Sequence, residues 1–137
     1  KSIDNISMGF IVFLTGAVGY SIIEYLFRGY THWSMALTGG ACLLAFYYYL
    51  RESKNTPTLA KAAVGACIFT VFEFFVGIIV NIWYRWHVWD YSGQPGNVMG
   101  QICPLFTFAW FLICLAILII SSNLYSLFRV FRHGTWD

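Results

Sequence analysis

The sequence predicts an all-α integral membrane protein. Four transmembrane helices are expected, arranged as two parallel-repeat helical hairpins with both termini cytoplasmic. Three observations predict it: a composition too poor in charge for a soluble surface, four long hydrophobic runs, and a similarity between the two halves of the chain. Of the 137 residues, 59% are apolar and 10% charged, against about 45–50% and about 25% in soluble domains. A soluble fold with so little charge could not cover its own surface, and disorder is excluded on the same ground. The net charge of +2, from eight Lys/Arg against six Asp/Glu, is too small and dispersed for a nucleic-acid partner. The length suits a single transmembrane domain over residues 1–137.

A bilayer core needs about 20 apolar residues per helix. The expected spans are residues 6–28, 33–50, 59–84 and 100–128, with an outer loop over 85–99. The first is interrupted only by Glu24. The second and fourth carry no charge, while the third has Lys61 near its start and Glu73 in its middle. The runs are continuous instead of alternating, so a β-barrel reading fails. The first run is expected to be a retained helix, too long for a signal peptide and carrying a carboxylate, with no small-residue cleavage pattern after it. Because the sequence starts at Lys1, a few leading residues are expected to be missing.

Orientation follows from Lys and Arg placement. Lys1, Arg51, Lys54, Lys61, Arg129 and Arg132 fall on one side, Arg28 and Arg85 on the other. Both termini and the 51–59 connection are therefore expected in the cytoplasm, and the six-to-two bias argues against dual topology. Pro57 stands where a helix can begin. Trp83, Trp86 and Trp89 gather at the outer loop, as an interfacial aromatic belt does.

The halves are alike in spacing. Tyr20-Ser-Ile-Ile-Glu24-Tyr reads beside Phe69-Thr-Val-Phe-Glu73-Phe, and Leu37-Thr-Gly39-Gly-Ala-Cys42 beside Val98-Met-Gly100-Gln-Ile-Cys103. Two hairpins separated by an even number of spans share one orientation, giving a parallel repeat about the membrane normal. Chance similarity between apolar runs is the alternative.

Glu73 is the sharpest feature, because a charge at mid-span costs about 2.5–3.5 kcal/mol on insertion scales. With Thr70, Gly77, Asn81 and Arg85 it marks one helical face, expected to point into the bundle. A carboxylate that serves packing alone is the competing reading. Gly16, Tyr20, Glu24 and Arg28 repeat the i+4 stripe, and Glu24 and Arg28 can pair within their helix. If the repeat holds, Glu24 and Glu73 approach one axis, where two carboxylates stay ionised together only with a cation.

Cys42, Cys67, Cys103 and Cys114 all fall inside expected spans, which argues against a disulfide framework. No C-x-x-C or H-E-x-x-H spacing supports a metal site, and His32, His87 and His133 lack a second ligand at helical spacing. No metal and no cofactor are expected. In the loop, Gly93, Pro95 and Gly96 form turns, Asp90 is expected to pair with Arg85 or Arg28, and Trp89 offers a face to a cation. Nothing matches a hydrolytic triad, a P-loop or a dinucleotide loop.

Glu73-Phe-Phe-Val-Gly77-Ile-Ile-Val-Asn81, Val88-Trp-Asp90-Tyr-Ser and Gly100-Gln-Ile-Cys103-Pro, with His32-Trp33-Ser-Met-Ala-Leu-Thr-Gly39-Gly, resemble the type IV ABC-transporter permease family over roughly residues 19–115. The resemblance implies a multispan protein of a bacterial cytoplasmic membrane. It carries over Glu73, Asn81, Trp89, Asp90, Tyr91, Asn97, Gly100, Gln101 and Cys103, with no catalytic role for any.

The expected function is a transport or channel component binding a small cation or proton-linked solute. Its ligand-binding residues are Glu73, Glu24, Asn81, Gln101, Asp90, Arg85, Tyr20 and Trp89. The lipid bilayer is its medium, and it is expected to be a homo-oligomer or to join a partner membrane subunit. The alternative is a non-transporting scaffold, accessory subunit or lipid-binding protein. A membrane-embedded lipid enzyme is a third class.

Overall fold

A computed structural model describes the backbone over residues 2–133 and side chains over 6–122. Lys1 and the side chains of Arg129, Arg132 and His133, used in the sequence analysis, lie outside the described residues. Four helices follow in order: α1 (Ser2–Arg28), α2 (Trp33–Glu52), α3 (Thr58–Gly77) and α4 (Pro104–His133). A π-helical segment, Ile78–Trp83, continues α3 without a break. Among the described residues there is no strand, only an isolated bridge between Val98 and Ile102.

Local chemistry sets the ends of these helices. Gly29 takes the left-handed conformation (φ +79°) and donates its N–H to Tyr25 O at 2.8 Å, closing α1 as a C-terminal glycine does. Three residues later His32 caps α2, its Nδ1 accepting from the Ser34 N–H at 3.2 Å. Pro57, extended and lacking a donor the helix would not use, precedes α3.

The fourth helix starts later than expected. Residues 100–103 are loop, because Met99 (φ +55°) and Gly100 (φ +73°) turn left-handed and Gly100 O accepts from the Tyr91 N–H at 2.7 Å. The helix is delayed to Pro104, a residue suited to a first helical position.

The helices pack chiefly as α1 on α2 and α3 on α4, with α2 also against α3. Small residues allow the closest approaches: a side chain at Gly39 would strike Gly16 O and the Tyr20 side chain, and one at Gly65 would meet Cys114 Sγ at 2.6 Å. Phe46, Met35, Cys42 and Cys114 fill the centre. Outward, Phe10, Leu14, Val18 and Ile22 of α1 and Phe108, Leu112 and Ile119 of α4 stand exposed. A hydrocarbon medium suits so much uncovered apolar surface.

Among the described residues three helices are long and apolar enough to cross a membrane: Ile6–Arg28, Thr58–Trp83 and Pro104–Ser122. The fourth, α2, has 20 residues, a span's length. Its Ser34, Thr38, paired glycines, three tyrosines and terminal Arg51-Glu52 make it less apolar than the others.

Candidate functional site: a buried carboxylate network under the outer loop

Glu73 lies on the inward face of α3 and is 2% exposed. Its Oε1 accepts from the Tyr20 hydroxyl of α1 at 3.0 Å and from Trp110 Nε1 of α4 at 2.6 Å. One oxygen thus joins three helices. The Tyr20 ring stacks on Trp110 at 5.1 Å, and Trp110 on Phe69 at 4.6 Å, so both donors are held by packing. Both are neutral: they orient a carboxylate without balancing its charge.

Glu24 sits one turn beyond Tyr20 on α1, about 6 Å along the axis. Its Oε2 pairs with Arg28 Nε at 3.2 Å, the intrahelical pair that the i+4 spacing allows. It is the only salt bridge among the described residues. Arg28 also donates from Nη2 to the Tyr91 hydroxyl at 2.5 Å, and its guanidinium lies over Tyr91 at 5.1 Å and Trp89 at 5.8 Å. Its Nη1 is buried and has no partner among the described residues. Burial raises the Tyr91 phenol above its ordinary range, Glu73 adding to this and Arg28 opposing, so it stays protonated at neutral pH.

The loop over residues 85–99 is seated by a second set of bonds. Asn81, on the π segment, donates to Gln101 Oε1 at 2.8 Å and accepts from the Val88 and Trp89 N–H groups at 2.7 and 3.4 Å. Gln101 donates to Met99 O at 2.9 Å, and its own carbonyl accepts from Trp89 Nε1 at 2.9 Å. Tyr30 at the end of α1 donates to Val88 O at 2.8 Å. Every hydrogen-bonding atom of these two amides has a partner in the loop or in the other amide. Helix geometry makes the arrangement possible. Successive i+4 steps in an α-helix drift by about 40°, whereas the wider i→i+5 turn of a π-helix pulls them back. Asn81 therefore stays on the buried side with Glu73 and Gly77.

Two expectations about charge pairing are corrected. Asp90 does not pair with Arg85 or Arg28, because Arg28 is committed to Glu24 and Tyr91. Asp90 instead stands exposed in an Asx-type turn, its Oδ1 accepting from the Ser92 N–H at 2.9 Å. Hydrogen bonds from the Ser92 hydroxyl and N–H hold this carboxyl below the usual carboxylate range. Arg85 leaves the polar stripe, because the helix ends at Trp83 and Arg85 turns left-handed (φ +55°) on the surface.

Of the residues expected to bind, Tyr20, Glu24 and Glu73 come together in the interior, with Trp89 reached through Arg28. Asn81 and Gln101 gather beside them. Trp110 was not foreseen: a lone tryptophan in an uncharged run carries no periodic signal, and only the carboxylate it faces gives it meaning. Among the described residues no group of three or more His, Cys, Asp and Glu lies close enough to hold a metal.

Comparison with known proteins adds one match. The model of the family described as "Putative ABC-transporter type IV" matches residues 28–136. No curated protein and no solved structure matches.

Proposed function

Because the chain belongs to the family described as "Putative ABC-transporter type IV", we propose that it is a transport or channel component whose Glu73 and Glu24 carboxylates bind a small cation or proton-linked solute. Family and apolar helices make it a membrane protein related to transport. The proposal gives it four crossings, α2 included, as two parallel hairpins with both termini in a bacterial cytoplasm. It also gives it a second membrane subunit, its own copy or another chain, because one four-helix bundle encloses little space.

The observation that carries the reading is the buried Glu73 carboxylate, met only by neutral donors. The cation nearby, Arg28, is already paired with Glu24. Two carboxylates and one guanidinium in a low-dielectric interior leave one negative charge uncompensated, which a proton or a bound cation neutralises. Arg28 Nη1, without a partner among the described residues, offers two N–H groups to an oxygen of the solute. Tyr20 positions Glu73, and Asn81 with Gln101 seats the loop as a cover, with Asp90 and Arg85 at its outer rim.

Native mass spectrometry of the wild type beside Glu73→Gln tests this. A small cation or solute is expected on the wild type and absent from the variant, with the variant still folded and inserted. Equal retention by both overturns the reading. A defined complex lost in the variant, with no ligand in either, makes the carboxylate a packing group.

A further inference from the structure

A half-open cleft of about 370 Å³, walled by α1, α2 and α4 with Phe69 of α3, runs on the side of Tyr20 and Trp110 away from the 85–99 loop. Its shape is informative. At one end stand Tyr20, Gly39 and Trp110, and at the other Tyr47, Leu50 and Ser121. These ends are about 16 Å apart by the helical rise of α2 and α4. Spread over that length, the space is elongated and narrower than a helix of about 10–12 Å diameter. The long axis follows the helices, as acyl chains follow the bilayer normal.

The chemistry of the wall agrees. Thr15 spends its hydroxyl on Ile11 O at 2.8 Å, while the Tyr20 hydroxyl and the Trp110 indole N–H are spent on Glu73. The remaining wall is almost wholly aliphatic and aromatic, with nothing to bind a charge. At the far end the character changes. Arg51 lies over the Tyr47 ring at 5.8 Å, exposed, one turn beyond a residue that lines the cavity. An apolar slot one chain wide with a guanidinium at its mouth is complementary to an amphiphile with an anionic head.

We propose that this slot holds one acyl chain of a membrane phospholipid. Its phosphate lies at Arg51 and the end of its chain against Tyr20 and Trp110, the two groups that hold Glu73. The inference goes beyond the carboxylate reading and needs only that the helices lie in a bilayer. A phospholipid in the slot supports the donors of Glu73 from behind and fills space that would otherwise cost packing energy.

The test uses the full chain in nanodiscs with a phospholipid bearing a photoreactive group near the end of its acyl chain. Cross-links are expected on Leu43, Phe46 and Trp110, inside the bundle, besides the lipid-facing Phe108 and Leu112. Gly19→Trp should cut internal labelling at least fivefold, since Gly19 lines the cavity and has open space where a side chain would project. Val18→Trp, adding the same bulk on the exposed face, should leave it unchanged. Arg51→Gln should lower internal labelling two- to fivefold. Labelling confined to lipid-facing residues, or internal labelling indifferent to Gly19→Trp, overturns the proposal. So does a wild type that retains free fatty acid, a second copy or nothing at the slot. If Gly19→Trp does not fold, retained phospholipid in the wild type's native mass spectrum decides. Glu73→Gln should keep its internal cross-links even if it loses the solute, so this proposal and the carboxylate reading fail separately.

Discussion

At the scale of single residues, one carboxylate oxygen carries much of the interior. Tyr20→Phe removes one donor to Glu73 Oε1 while keeping the ring that stacks on Trp110. A buried acceptor that loses a donor costs about 1–3 kcal/mol, to be read from thermal unfolding in detergent. In a Glu73→Gln background the same change should cost less, because contacting residues couple. An identical cost in both backgrounds would show that the hydroxyl does not act through Glu73. Asp90 makes the opposite case. Its carboxyl is held below the usual range by Ser92, so its contribution is present above the ordinary carboxylate pKa and fades as pH falls through the lower, folded value. Hydrogen exchange at the Ser92 N–H should therefore show the same protection at pH 5 and pH 8, once corrected for intrinsic exchange rates. Protection should fall only in stronger acid; loss of protection by pH 5 would contradict the turn.

Elements were legible in proportion to how far their cause is local. Lengths and absence of charge located all four helices, and the Glu24–Arg28 pair followed from i+4 spacing alone. The π segment and the late start of α4 were not legible. Both arise because Asn81 and Gln101 satisfy a loop that folds back on the helix ends, and their partners are distant in sequence. For the same reason Glu73 could be picked out as a candidate, and its partners Tyr20 and Trp110 could not be paired with it. The α1–α2 contact is an element-scale property with a direct test. Gly39→Val would drive a side chain into Tyr20 and Gly16 O, separating the helices at the level of Glu73's donor. Overpacking of this kind costs about 1–3 kcal/mol. Gly19→Ala on α1 meets nothing within 4 Å and should be neutral or stabilising by up to about 1 kcal/mol, through helix propensity alone. Equal damage from the two substitutions would mean that the helices do not meet at Gly39.

For the whole molecule, packing and charge pose separate questions, since a bundle is packed the same way whichever end faces the cytoplasm. The bonds that seat the loop on α1, Arg28 to Tyr91 and Tyr30 to Val88 O, bring Arg28 and Arg85 to one end of the bundle. Arg51, Lys54 and Lys61 belong to the α2–α3 connection or the first turn of α3, at the opposite end. Insertion follows the cation-rich loops, so the α2–α3 connection is expected inside and the outer loop outside. A membrane-impermeant maleimide should label Ser92→Cys in intact cells and Asn55→Cys only after permeabilisation. Both positions are exposed, and of the native cysteines Cys42, Cys103 and Cys114 are buried. Cys67 is exposed within a helix apolar enough to lie in lipid, out of the reagent's reach. Replacing Arg51, Lys54 and Lys61 with Gln reduces the six-to-two bias to three-to-two. Part of the population should then label Asn55→Cys from outside. Labelling of Asn55→Cys in intact cells without those replacements would invert the orientation. It would also turn the loop cover over Glu73 towards the cytoplasm, so that the solute would reach the carboxylates from within.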